Sequence, residues 1–102
     1  MPTVEPVADQ QILLQPRWNV VLLNDDDHTY EYVIEMLGKL FNHDQNTALR
    51  MAVEVDSTGR VIVDTTTKER AELKLQQIHA FGPDWRLPRC KGSMSAEIEP
   101  LA

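Results

Sequence analysis

Polar chemistry is concentrated in one run of this 102-residue sequence, Asn24-Asp25-Asp26-Asp27-His28, which stands between an apolar stretch and a helix-like pattern. One acid suffices to cap a helix N-terminus, where the macrodipole favours negative charge. Three adjacent acids repel one another and invite an external cation as well. A calcium loop needs the D-x-[DN]-x-[DN]-G spacing, and Asp25, Asp27 and Thr29 supply neither its glycine nor a distal bidentate acid. An organic ammonium fits better, because a carboxylate and an asparagine amide oxygen both accept its hydrogens. The run therefore reads as a helix cap, an ammonium site, or both.

Tyr30, Val33, Ala52 and Val55 are most simply core residues, yet they could share one pocket between two helices beside the acidic turn. An apolar cavity with an ammonium-binding mouth would recognise an amine that bears an apolar side chain. The other reactive residue types form no such set. His28, His43 and His79 show no catalytic spacing to Cys90 or to a serine, and no serine stands in a nucleophile elbow, so no catalytic residues and no enzyme are expected. Cys90 lies between Arg89 and Lys91, a setting that could activate a thiol, although an ordinary strand residue is the simpler reading. A single cysteine forms neither an internal disulfide nor a cysteine zinc cluster, so no metal or cofactor is expected and a reducing compartment, the cytoplasm, is the natural setting.

Composition narrows the partners. Ten Lys and Arg against sixteen Asp and Glu leave a formal charge of -6, the wrong sign for phosphate neutralisation, and the patch Arg86, Arg89, Lys91 is too small for a nucleic-acid site. Apolar runs of only a few residues predict no membrane span, and the acidic, proline-bearing N-terminus looks like no signal peptide. The elements that must hold the acidic turn follow in order. Residues 1–16, with Pro2, Pro6 and Pro16, read as a flexible arm; Trp18 opens the run WNVVLL, a strand buried on both faces that ends at Asn24. Tyr30, Val33, Leu37, Leu40 and Phe41 define a first helix, and Ala48, Met51, Ala52 and Val55 a second, short one capped by Asp44. Ser57-Thr58-Gly59 turns into a strand from Arg60 to Thr65; Thr66-x-x-Glu69 is a capping box for a third helix with Ala71, Leu75 and Ile78 inward, and Gly82-Pro83-Asp84 stops it. After a loop holding Pro88, the alternation Met94, Ala96, Ile98 predicts a last strand. The fold class expected is α+β, a three-stranded antiparallel sheet with three helices in the order β-α-α-β-α-β, the domain spanning 17–99 and a tail 100–102.

The stretch VVLLNDDDHTYEYVIEMLGKLFNHD resembles the ClpS family of proteolytic adaptors, whose strand leads into N-D-D-x-T-P-M-E-F-V. The similarity runs on through Met51 to Gly59 and the A-E-x-K helix at Ala71, Glu72 and Lys74, covering roughly Trp18 to Pro88. It implies a fold like the C-terminal domain of the ribosomal stalk protein. It also implies a cytoplasmic adaptor that captures proteins by a destabilising bulky hydrophobic N-terminal residue, an N-degron, and delivers them to a AAA+ Clp unfoldase with its peptidase. By that resemblance Asn24, Asp25 and Asp26 grip the substrate's α-amino group, with His28 and Asp56 at its edge, and Tyr30, Val33, Ala52 and Val55 line the side-chain pocket. The arm is engaged by the unfoldase, whose N-terminal domain receives the helix bearing Glu69 and Lys74. Four positions depart from the family pattern: His28 stands for Thr, Tyr30 for a gate-keeping Met, Ala52 for a second pocket Met, and Asp56 for a His. A paralogue that keeps the fold as a plain interaction domain without N-degron recognition is the alternative these departures leave open.

Overall fold

A computed structural model describes residues 16–25, 28–86 and 92–101 of the chain. The first strand, β1, spans Arg17–Leu23, and its residues Asn19 to Leu22 are buried in succession. The sheet order explains this. With the strands β2 (Arg60–Thr67) and β3 (Ala96–Pro100) added in the order β2-β1-β3, β1 is the middle strand and runs antiparallel to both neighbours. Asn19 is the one polar residue in the buried run, and both ends of its amide are used: Nδ2 donates to Glu99 at 3.3 Å and Oδ1 accepts from the Thr65 hydroxyl at 2.7 Å. A hydrogen-bonded rung thus crosses all three strands, so the buried amide is satisfied.

Three helices complete the order β-α-α-β-α-β: α1 (Tyr30–Phe41), α2 (Gln45–Thr58) and α3 (Lys68–His79). Each begins on a side-chain cap. Thr29, Asp44 and Thr67 accept from the backbone N–H groups of Tyr32, Thr47 and Arg70 at 3.1, 2.7 and 3.3 Å. Val20 and Leu22 from β1 and Val61 and Val63 from β2 meet Val33, Met36 and Leu37 of α1, Ala52 and Val55 of α2, and Ala71 and Ile78 of α3 in one core. Among the described residues no helix is long and apolar enough to cross a membrane.

The structure corrects three local expectations. The second helix is not short but, at 14 residues, the longest of the three. It passes beyond its last apolar residue, Val55, through Ser57 and Thr58, whose hydroxyls donate back to the carbonyls of Val53 and Glu54, each at 2.8 Å, and Gly59 stops it in the left-handed region at φ 92°. Thr67, not Thr66, caps α3, since β2 runs on to Thr67. Met94 precedes the last strand, which starts at Ala96. Cys90, with Arg89, Lys91 and Pro88, lies outside the described residues.

Candidate functional site

The turn after β1 is held from three sides. The Leu23 N–H donates to Ser95 and the Asn24 N–H to Gly59, both at 3.0 Å, so Asn24 sits between the exit of α2 and the entry to β3. The His28 ring, its side chain only 3% exposed, is fixed by both nitrogens: Nδ1 pairs with Asp25 Oδ1 at 2.6 Å and Nε2 with the Gly92 carbonyl at 2.8 Å. It also packs on Tyr32 with ring centres 4.5 Å apart. His28 therefore orients the Asp25 carboxylate, and its own nitrogens are already engaged.

Asp84 anchors the same turn from below. Its Oδ2 accepts from the Thr29 N–H at 2.7 Å and the Thr29 hydroxyl at 2.8 Å, while Oδ1 accepts from the Arg86 N–H at 3.0 Å and the guanidinium at 3.2 Å. Burial works against its charge, but these four donors outweigh it and hold the carboxyl down to about 2. Nearby, the Tyr32 hydroxyl donates to the Gly82 carbonyl at 2.6 Å, and the Gly82 N–H to Ser93 at the same distance. Gly82, at φ 100°, makes this bend in a conformation other residues rarely adopt. Sequence reading takes Asp84 only as a helix stop, because its main partner is 55 residues away.

These restraints place a small cavity, about 30 Å³, between the turn and the first two helices. Asn24, Asp25, His28 and Asp56 form its polar side, and Val33, Ala52, Val55 and Met94 its apolar side, each of the last four at most 3% exposed. Tyr30 completes the lining. Its hydroxyl donates to Asp56 Oδ2 at 2.6 Å, joining the start of α1 to the end of α2 across the mouth, and that hydrogen bond raises the phenol pKa above its ordinary value. The residues assigned to the amine and the side-chain pocket thus line one cavity, except Asp26, which lies outside the described residues. Met94 is the addition that sequence reading missed. Its alternation with Ala96 and Ile98 assigned it to a strand, whereas it packs from the loop before β3. No group of described residues is arranged to hold a metal ion. Two carboxylates and an amide beside an apolar wall can accept hydrogens from an ammonium while excluding water from whatever it carries.

The two residues assigned to docking do not share a face. Five positions apart on α3, Glu69 and Lys74 point about 140° from each other. Glu69 is exposed and lines a wide groove of about 670 Å³ with Pro16, Trp18, Thr67, Lys68 and Pro100. This groove is far larger than the acidic pocket, and among its described lining residues Glu69 is the one acid, with Lys68 beside it. Lys74 turns inward; its ammonium donates to the Leu40 carbonyl in the last turn of α1 and sits 5.3 Å from the centre of the Phe41 ring. A cation there satisfies an otherwise free helix carbonyl. Lys74→Ala is therefore expected to lower unfolding stability by about 1 to 2 kcal/mol, read from the urea midpoint. An unchanged midpoint would return Lys74 to the surface role alone.

The family model described as "ATP-dependent Clp protease adaptor protein ClpS" matches residues 14–85. The chain is 34% identical over 82 residues to the ATP-dependent Clp protease adapter protein ClpS of Nautilia profundicola, covering 79% of this chain and 84% of that one. Among solved structures it is similar to Agrobacterium tumefaciens ClpS2 bound to L-phenylalaninamide, with 25% identity, 83% of this chain and 96% of that chain covered, and a TM-score of 0.71. The match to the family model ends just after Asp84, so Arg86, Gly92 and Met94 complete the site from outside it.

Proposed function

We propose, from the premise that this chain belongs to the ClpS family of Clp protease adaptors, that its acidic pocket captures proteins by a free N-terminal residue with a bulky hydrophobic side chain, for delivery to a AAA+ Clp unfoldase and its peptidase. One observation carries the reading: Asn24, Asp25 and Asp56 edge the same cavity whose wall is Val33, Ala52, Val55 and Met94. Phenylalaninamide, the ligand of the Agrobacterium protein, unites a free α-amine with an aromatic side chain, the combination that such a pocket suits. Asp26 joins the amine-binding set on its sequence position. The family is one of adaptors, and the chain's part is capture, with no bond broken by its own residues. Hand-over falls to residues 1–16 and to the exposed Glu69 end of α3, whose groove shares no lining residue with the acidic pocket.

The amine is what the test removes. An α-amino group titrates near 8 and is mostly cationic at pH 7, and a hydrogen bond to a charged group contributes about 1.5 to 3 kcal/mol. Acetylating the N-terminus of a Phe- or Leu-initiated peptide is expected to weaken binding by about tenfold or more in fluorescence anisotropy. Equal affinity for both forms would refute amine capture and leave the interaction-domain alternative.

A further inference from the structure

We propose that the Tyr30–Asp56 hydrogen bond is a latch across the pocket, and that the ammonium group of the ligand opens it by taking the Asp56 carboxylate from the phenol. The inference rests on the pocket's reading as an N-terminal amine site, and deepens it. Its starting point is a mismatch of size. The cavity measures about 30 Å³, room for a water molecule, whereas a benzene-sized guest occupies a cavity of about 150 Å³. Something must move before a bulky side chain enters. The apolar wall resists moving, since Val33, Ala52, Val55 and Met94 are all buried in the core, where packing is dense. The rim is different. Tyr30 is 40% exposed, stands at the first position of α1, and is tied over the mouth by its hydroxyl at 2.6 Å from Asp56, itself exposed at the end of α2.

The chemistry of that tie sets how it opens. Asp56 is shared between two claims: it accepts from a neutral phenol now, and it edges the place where an ammonium would sit. The phenol's bond to the carboxylate is charged on the acceptor side only, whereas an ammonium is charged on the donor side too and adds a direct Coulomb attraction, so the ammonium displaces the phenol. Once released, the Tyr30 ring turns outward about its own side-chain bonds, with α1 left in place, and the wall is uncovered. Amine capture and side-chain entry are thereby coupled. An apolar side chain in the interior of an unfolded chain brings no ammonium and meets the latch closed. Tyr30 and Asp56 thus act as a pair, each chosen for the other.

A double-mutant cycle isolates the hydroxyl from the ring. Tyr30→Phe keeps the bulk and removes the tie, so the fraction of open pocket rises, and affinity for a Phe-initiated peptide is expected to increase about three- to tenfold by fluorescence anisotropy. In the Asp56→Ala background, where Asn24 and Asp25 remain for the amine, the same change is expected to have no effect. A loss of affinity in Tyr30→Phe, or an equal gain in both backgrounds, overturns the latch. A second readout needs no ligand: the ultraviolet titration of the phenols should show one tyrosine ionising at lower pH in Asp56→Ala than in the parent. An unchanged titration also overturns the latch. Failure of the amine-site reading is separate, and shows as equal binding of free and acetylated peptides by the parent protein.

Discussion

Asp84→Ala is expected to lower the stability of the domain by about 3 kcal/mol, because one substitution strips a buried carboxylate from four donors. Holding its carboxyl at about 2 against an ordinary 3.8 corresponds to roughly 2 kcal/mol of the folded state's preference for the charged form. The rest comes from the Thr29 N–H and hydroxyl, which lose their acceptor at the cap of α1. Because the folded value lies below the unfolded one, this stabilisation is complete above about pH 4 and disappears as the pH falls towards 2. Urea unfolding followed across that window should show the parent weakening with acid while Asp84→Asn, already uncharged, changes less. Equal acid sensitivity in the two proteins would assign the loss to other carboxylates. Thr29 lies between His28 and Tyr30, so the substitution should also weaken peptide binding, through position and without contact.

Ala52→Met should redraw which side chains the pocket accepts. Ala52 is fully buried and lines the cavity, and methionine is what the resemblance places there in the family. Three added heavy atoms would occupy space that a guest needs, and overfilling a packed site costs about 1 to 3 kcal/mol. The largest guest should lose most. Affinity for a Trp-initiated peptide is expected to fall about tenfold or more, while a Leu-initiated one changes less than about threefold, in an anisotropy series over N-terminal residues. Equal losses for both peptides would mean that the fold, not the pocket, was disturbed. No loss would mean that guests never reach Ala52.

What the sequence makes legible here is local. The run WNVVLL announces a strand covered on both faces, and the structure gives the reason, a central position between β2 and β3. Asp44 marks the start of α2, and Thr66 that of α3 to within a residue, whereas α1 is capped by Thr29 and not by the acidic run before it. The end of α2 escapes the same reading, since Glu54, Asp56, Ser57 and Thr58 break the apolar stripe while the helix runs on to its glycine cap at Gly59. Asn24, Asp25, Asp56 and the apolar wall were readable as types in an order. Their meeting in one pocket was readable too, but the way it closes was not. It depends on contacts such as Thr29 to Asp84 and His28 to Gly92, which span 55 and 64 residues and leave no periodic trace. Met94 is hidden for a related reason, because a residue that reaches the core from a loop obeys no strand or helix repeat.

The central place of β1 also has a mechanical meaning. A load applied at Arg17 and directed along the strand meets a ladder on each side, pairing residues 17–23 with β2 and 18–22 with β3. The hydrogen bonds of antiparallel ladders lie across the strands, so such a pull strains them in shear, many at once, whereas peeling an outer strand would break them singly. The Leu101 N–H adds one more bond to the Arg17 carbonyl at 2.8 Å, at the point where the tension enters. The seven-residue strand carries the chain from that point to Asn24, about 23 Å at ordinary strand rise. A machine hauling on the amino-terminal side of the domain along that axis would therefore load both ladders together, and the rupture force in that direction, more than the equilibrium stability, would decide whether the domain is threaded or released intact.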